Sequence, residues 1–463
     1  MTYEQALGFW YGRINYEQRS PRAEDLKLED MRNLLSALGN PHDRLRIVHV
    51  AGSKGKGSTS AMLASILREA GYRAGLFTSP HLVNVEERIQ VDGEAISRRE
   101  LTSLLKEVEG VVVAGGLSPT FFEVATAVGF LHFVRRRVDV AIVEVGLGGR
   151  FDSTNVCMPL ISVITSISLD HTQLLGDTIA SIAAEKAGII KPGRPVVSGA
   201  RTPAARQTIA GIAHRRQAPL WQLGVDFDYA YRPADVSQEA NASGLLAWER
   251  PEVQVTIWGR TGEPVKLGLL GEHQAANSAV ALACVQRLRL TGMEIPTAAV
   301  PRGLETVQWP ARLEIVGRRP LILLDCAHNV ASAEALVETL RTTFAQFSRG
   351  GTRRVLVFAC SNDKDLPGIL RVLSAHFTHM FLTRYSHSAR AVPPERLAQV
   401  LRDVGAVPCQ IVPAAPEAWH AARACAGPDD LICVTGSVFL AGELRPLMSA
   451  LDPVSPGKPG RAW

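Results

Sequence analysis

The sequence predicts an α/β protein of two domains: an N-terminal one with a mostly parallel sheet around a phosphate-binding loop, and a C-terminal Rossmann-like one. Three observations carry this expectation. Short runs rich in Val and Ile alternate with helical patterns along most of the 463 residues. A glycine-rich turn stands between the first such run and a helix, and a second round of strands and helices opens at Leu321. A chain of this length exceeds what one hydrophobic core usually serves, so two domains are the starting expectation.

After a polar, helical N-terminal region, residues 46–51 (RIVHVA) read as a short buried strand and residues 58–70 as an apolar-periodic helix. Residues 138–145 and 161–167 read as further strands, with a helical pattern over 177–187. Between 218 and 271 the periodicity breaks into strand-like pieces, 253–258 and 265–270, expected to be an antiparallel excursion on the first domain. A helix follows over 272–290. Residues 1–300 then form the first domain, 301–311 a linker and 312–452 the second domain, with strands at 321–325, 355–359, 379–383 and 430–434. The Pro- and Gly-rich tail at 453–463 is expected to be disordered.

Composition narrows the function only by exclusion. Hydrophobic residues make up 46% and charged residues 21%, ordinary for a soluble enzyme. The net charge of +5 is scattered in short runs such as Arg135 to Arg137, not gathered into a nucleic-acid stripe. It suits small polyanions such as ATP or polycarboxylates, although solvated surface charge explains any single run. Seven cysteines, odd in number and never spaced as CxxC, indicate neither a disulfide framework nor a zinc site and fit a reducing cytosol. With no apolar run near the ~18 residues of a membrane span and no signal-like N-terminus, a cytoplasmic protein, without membrane or nucleic-acid partners and monomeric, is expected.

The string Gly52-Ser53-Lys54-Gly55-Lys56-Gly57-Ser58-Thr59 lies between the first strand and its helix, the setting a phosphate loop requires. Glycines let backbone N–H groups turn toward phosphates, the helix N-terminus adds partial positive charge, and Lys56 reaches the terminal phosphates. Ser58 or Thr59 would meet a magnesium ion. The match to GxxxxGK[ST] is imperfect: a valine stands in place of its first glycine, and Gly57 separates the lysine from Ser58. A glycine-rich turn that only caps a helix is the plainer alternative. Glu144, inside the apolar run VDVAIVEVGLGG, is costly to bury without a partner and so points to a metal or catalytic role.

These strings, in order with TSPHL at 78–82, TFFE at 120–123, EVGLGGRFDSTN at 144–155, LDH at 169–171, IAAEKAGIIKPG at 182–193, GEHQAANSAVALA at 271–283, WPARLE at 309–314, DCAHN at 325–329 and VTGSVFLAGE at 434–443, resemble the folylpolyglutamate and dihydrofolate synthases of the Mur ligase superfamily. The likeness spans nearly the whole chain, and the joint order is specific where each string alone is weak. It implies a Mur-ligase-type ATPase domain and an ATP- and Mg2+-dependent ligase that joins L-glutamate to dihydropteroate or a reduced folate. Ser79, Glu144 and His171 resemble the magnesium ligands, a set suited to a hard cation that keeps several waters. Lys186 occupies the place of a lysine that the superfamily carbamylates; an exposed helix lysine, or a role for Lys191 instead, are its alternatives. Gly55, Lys56, Gly57, Ser58, Asn277, Arg312 and Asp325 match ATP contacts, with Arg312 expected to neutralise charge on the transferred phosphoryl group. His328 and Ser437 match positions near the nucleotide or the incoming glutamate, a helix N-cap being the alternative for Ser437.

For the pterin, the resemblance points to Thr120, Phe121, Phe122 and Glu123 and to Phe151, Asp152 and Ser153. Aromatic rings offer stacking surface and Asp152 an acceptor for ring N–H groups. Phe121 and Phe122 are neighbours on one element, so at least one is expected in the core. Two departures stand out: Gly-Ser-Lys where many members have Gly-Thr-Asn, which puts Lys54 beside the phosphates, and the Tyr385 to Arg390 segment where relatives often carry Asn-Pro-Arg.

The implied chemistry is attack of a substrate carboxylate on the γ-phosphate, then of the glutamate amine on the acyl phosphate. A sister ligase acting on cell-wall precursors would share the loop, metal site and lysine but need a separate N-terminal substrate domain. The loop starts at residue 52, leaving little room for one. A nucleotide-binding switch would keep the loop without needing the carboxylate, histidine and lysine.

Overall fold

The computed structural model describes residues 1–17, 25, 27–240, 246–348, 351–386, 390–405 and 407–449. The tail at 453–463 and residues 387–389 of the Tyr385 to Arg390 departure lie outside them. The chain divides into two compact units: Met1–Arg232, Glu252–Gly268 and His273–Gln308 form the first, and Pro233–Pro251, Leu269–Glu272 and Trp309–Trp463 the second.

The first unit is built on eight strands: β1 (Ile47–Ala51), β2 (Ala74–Phe77), β3 (Ile89–Val91), β4 (Glu94–Ala95), β5 (Val140–Glu144), β6 (Ile161–Ile164), β7 (Val196–Ser198) and β8 (Leu220–Gln222). Their order is β4-β3-β2-β5-β1-β6-β7-β8. From β2 to β8 neighbours run parallel, while β3 and β4 add an antiparallel edge. Every residue of β1, β2, β5 and β6 is buried, which is why these segments read as nearly continuous apolar runs, broken only at His49, Glu144 and Ser162, and not as alternating ones.

Ten helices accompany this sheet among the described residues: α1 (Tyr3–Tyr11), α2 (Glu29–Ala37), α3 (Lys56–Glu69), α4 (Arg98–Gly115), α5 (Phe121–Arg135), α6 (Thr172–Leu175), α7 (Ile179–Ala187), α8 (Pro203–Arg215), α9 (Glu272–Leu290) and α10 (Ala299–Thr306). Helices α1, α2, α4 and α5 cover one stretch of sheet through Trp10, Leu34, Leu105 and Val128, and α7 and α8 pack on Ile164 and Val196. Helix α5 opens with a capping box: Thr120 accepts from the Glu123 N–H at 3.2 Å, and the Glu123 carboxylate accepts from the Thr120 N–H at 2.7 Å.

Two sequence expectations about organisation need correction. Residues 301–311 are not a plain linker: 301–306 belong to α10, where Gly303 lies so close to α3 that a Cβ would strike the Ile66 backbone. The antiparallel excursion is also divided. Strands β9 (Phe227–Arg232), β12 (Glu252–Ile257), β13 (Arg260–Thr261) and β14 (Val265–Lys266) form a small sheet of the first unit. The intervening hairpin of β10 (Asp235–Ala240) and β11 (Leu246–Glu249) groups with the second unit, and Ala234 at its start enters that unit's core.

The second unit holds six strands: β15 (Glu314–Arg318), β16 (Leu321–Leu324), β17 (Arg354–Phe358), β18 (His379–Arg384), β19 (Cys409–Ala414) and β20 (Leu431–Thr435). They are ordered β15-β16-β20-β17-β18-β19, parallel except for β15. The crossovers run through α11 (Val330–Thr343), α12 (Leu366–Ser374), α13 (Pro394–Val404) and α14 (Ala415–Cys425), and α15 (Val438–Ser449) follows β20. No described helix is long and apolar enough to cross a membrane.

The N-terminal helix is anchored by one side chain. Trp10 is fully buried, stacks on Phe121 at 5.0 Å between ring centroids, and donates its indole N–H to the Phe121 carbonyl at 2.9 Å. Trp10→Ala is therefore expected to lower stability by about 3–5 kcal/mol, and Trp10→Phe, which keeps a ring but loses the hydrogen bond, by about 1 kcal/mol. Denaturant unfolding followed by circular dichroism measures both; an unchanged stability in Trp10→Phe would show that the indole N–H contributes nothing.

Candidate active site

Because β2, β5, β1 and β6 are parallel neighbours, their carboxyl ends bring the segments that follow them to one edge. The glycine turn leaves β1 with Gly52 at φ +150° and Gly55 at φ +81°, backbone that side chains rarely adopt. Space forbids a Cβ as well: one at Gly52 would strike the Thr165 hydroxyl, and one at Gly55 the Asn277 side-chain oxygen. Asn277 therefore reaches the loop from α9, where its amide donates to Gln274 at 3.0 Å. The turn is tied to the segment after β6 by Ser53 N–H to the Ser166 carbonyl at 2.7 Å, Ser53 Oγ to the Ser168 carbonyl at 3.0 Å, and Thr165 Oγ1 to the Lys54 carbonyl at 2.6 Å. Lys56, Gly57 and Ser58 form the first turn of α3, with Gly55 as its N-cap.

Charge collects around this turn. The Lys56 ammonium lies 4.0 Å from the carboxylate of Glu144, the buried last residue of β5, which also accepts the Ser79 N–H at 3.3 Å. Lys54 pairs with Asp170 at 2.7 Å. His171 follows in left-handed backbone at φ +51°; its N–H donates to Asp170 at 3.1 Å, and its side chain is 45% exposed. Lys186, on α7, is only 4% exposed, which removes the exposed-helix alternative. Burial first, then the positive charge of Lys56, pulls its amine down to about 7. Lys191 instead donates to the Asn155 carbonyl at 2.7 Å.

No group of three or more His, Cys, Asp and Glu side chains able to hold a metal occurs among the described residues. Of the expected ligands, Glu144 and Ser79 are in contact, and only these two and His171 carry donor atoms without chemical change. A buried carboxylate beside a phosphate-loop lysine suits a hard cation with few protein ligands and several waters.

The expected pterin contacts divide. Phe121 is turned inward, 1% exposed against Trp10, and offers no surface to a substrate because its ring anchors α1. Thr120 and Glu123 are engaged with each other in the α5 cap. The Phe122 ring lies where a Cβ at Gly146 would be. Phe151 is 38% exposed, with the Arg150 guanidinium 4.9 Å over its ring. Ser153 meets Thr126 of α5 at 2.9 Å. Asp152 is buried and accepts the N–H groups of Leu147 at 2.9 Å and Thr154 at 3.0 Å; burial raises its carboxyl above the usual range against these bonds.

In the second unit, Asp325 follows β16 and accepts from Leu313 N–H at 3.0 Å, Ala327 N–H at 2.7 Å and Thr435 Oγ1 at 3.3 Å. Arg312 stands between Ala311 and Leu313, both in left-handed backbone, and donates to the Ala311 carbonyl at 3.1 Å and to Cys326 Sγ. His328 Nδ1 is 2.8 Å from the Cys326 carbonyl, so that nitrogen carries the hydrogen. The Ser437 hydroxyl accepts from Phe439 N–H at 3.1 Å, the contact of a helix N-cap ahead of α15.

One buried group went unread in the sequence. Arg88 donates to both carboxylate oxygens of Glu17, at 2.7 and 2.6 Å, and to Nδ1 of His81 at 2.8 Å. It braces the 78–82 loop that carries Ser79. Partners 71 residues apart leave no local signal.

Comparison with known proteins agrees with this arrangement. Residues 50–285 match the Mur ligase middle domain and residues 311–438 the Mur ligase glutamate ligase domain. The dihydrofolate synthase/folylpolyglutamate synthase of Bacillus subtilis is 35% identical, over 96% of this chain and 98% of that protein. The Escherichia coli FolC structure in complex with DHPP and ADP superposes with a TM-score of 0.81 at 30% identity, covering 97% of this chain and 98% of that one. The bifunctional Yersinia pestis enzyme complexed with AMPPNP and Mn ion gives 0.79 at 29% identity, over 96% and 98%. A mostly parallel sheet whose first strand runs through a glycine turn into a helix, followed by a second α/β unit, and a near-full-length likeness together place this chain in the folylpolyglutamate synthase/dihydrofolate synthase family of Mur ligases.

Proposed function

We propose that this ligase joins L-glutamate to the carboxylate of dihydropteroate, of a reduced folate, or of both, at the cost of ATP. The observation that carries the reading is the gathering of Lys56, Glu144, Ser79 and the buried Lys186 around the glycine turn. The N–H groups of Gly55 to Ser58 receive the phosphates, and Asn277 holds the turn in shape. A substrate carboxylate attacks the γ-phosphorus, ADP leaves, and the acyl phosphate is then attacked by the glutamate amine, with phosphate leaving as the amide forms. Lys56 and Arg312 neutralise charge on the transferred group; the left-handed backbone on both sides of Arg312 supports a functional reason for its placement. Glu144, Ser79 and His171 would hold Mg2+, which supplies further neutralisation of the phosphate oxygens. Phe151 stacks on the pterin with Asp152 as acceptor, and Asp325, His328 and Ser437 serve the nucleotide or the glutamate.

The environment of Lys186 supports carbamylation. Reaction with CO2 needs a neutral amine, and burial beside Lys56 provides one near neutral pH. Once formed, the carbamate is an anion among cations, so the charges that disfavour the ammonium favour the product. Seven free cysteines suit the reducing cytosol, where we place the protein as a monomer, to be checked by sedimentation.

Purified protein with ATP, Mg2+ and glutamate should form product with dihydropteroate, tetrahydrofolate or both; product with neither ends this reading. Lys56→Ala should lose at least about 100-fold in kcat with an unchanged melting temperature, since one preorganised donor to developing charge is worth that much. Lys186→Ala and Lys186→Arg should both be nearly inactive, because guanidinium cannot become the carbamate. The amine of Lys186 is neutral above its lowered pKa of about 7, so bicarbonate should raise wild-type activity more at pH 8 than at pH 6. A 44 Da mass increment on the peptide holding Lys186 is the direct readout, the mass of one added CO2 by the rule that carbamylation changes the lysine charge and mass together. Full activity of Lys186→Ala would exclude the carbamate.

A further inference from the structure

His49 lies at the middle of β1, completely buried in a strand otherwise made of Ile, Val and Ala. Its Nε2 is 2.8 Å from the hydroxyl of Thr154, itself fully buried in the turn after Asp152. The Thr154 hydroxyl donates to Asp152 Oδ1, the same oxygen that accepts the Thr154 N–H at 3.0 Å. A hydroxyl has one hydrogen. With that hydrogen on Asp152, Thr154 can only accept from the ring, so His49 carries its hydrogen on Nε2. Burial, then the charge of Lys191, drives the imidazolium pKa down to about 3, so the ring is neutral at physiological pH. Nδ1 is then a bare acceptor, and it has no partner among the described residues. Leaving a buried acceptor without a partner is costly, and an aliphatic side chain would avoid it. Packing alone therefore gives no reason for a histidine here, whereas a fixed Nε2–H donor does.

We propose that His49 is a positioning residue for the pterin site, aiming the turn of Phe151, Asp152 and Ser153 through its Nε2–H bond to Thr154. The same strand delivers the phosphate loop three residues later, so one rigid element sets both the nucleotide and the pterin side of the reaction. The other end of the turn is clamped separately, by Lys191 on the Asn155 carbonyl. The proposal rests on the reading of Phe151 and Asp152 as pterin contacts.

The test separates donor from bulk. His49→Leu should raise KM for the pteroate or folate substrate about tenfold, the worth of one hydrogen bond, and leave KM for ATP unchanged. His49→Gln, whose Nε2–H can take the place of the ring's, should restore most of the loss. Equal effects on both substrates, or none, would overturn the proposal. Nitrogen-15 NMR of histidine-labelled wild type gives a readout independent of how the variants fold: an Nε2–H tautomer is expected, and an Nδ1–H or charged ring refutes the assignment. Asp152→Asn distinguishes the two possible failures. An unchanged pteroate KM there sinks the underlying reading, whereas a raised KM there with none in His49→Leu sinks the role of His49 alone.

Discussion

Positive charge gathered beside a glycine turn, partly shielded from water, is the constraint on which the rest of the first unit depends. Three lysines meet that demand in three ways. Lys54 is held by Asp170 at 2.7 Å, Lys56 faces Glu144 at 4.0 Å, and Lys186 is pushed toward the neutral amine. Without Asp170 and Glu144 the charges of Lys54 and Lys56 would oppose folding, since a charge shielded from water is tolerated only when paired or discharged. The same lysines include the cation, Lys56, that we propose for phosphate binding.

Geometry at the turn follows from backbone and not from side-chain choice. Gly52 and Gly55 are held where a Cβ would collide with Thr165 and Asn277, so the loop is shaped by residues about 110 and 220 positions away in sequence. Hydrogen bonds from Ser53, Thr165 and Ser166 fasten it to the next strand's exit. Lys54, unusual beside the Gly-Thr-Asn of many relatives, joins that fastening through Asp170, next to His171. Its charge is spent on the loop's architecture.

Aromatic and capping residues in the TFFE string show how one motif serves several parts of the fold at once. Thr120 and Glu123 start α5, Phe121 receives Trp10 of α1, and Phe122 turns toward Gly146 at the exit of β5. The string Thr-x-x-Glu carries a capping signature legible by inspection. That Phe121 and not Phe122 is the inward ring was not legible, because both lie in the first turn of a helix buried nearly all round.

Residues alone determined the strand, glycine turn and helix at 47–69 and the two rounds of α/β alternation, because each rests on local periodicity. For Ser437 the resemblance implied a ligand contact and the residue type a helix cap, and the sequence did not choose between them. Only the tertiary structure decided that α10 belongs to the first unit, that the hairpin at 235–249 leaves it, and that Lys186 is buried. The pairs Lys54 with Asp170, Arg88 with Glu17 and His49 with Thr154 were likewise invisible beforehand. Each joins residues that are 116, 71 and 105 positions apart, and such contacts arise from the order of parallel strands in the sheet, which no window of sequence contains.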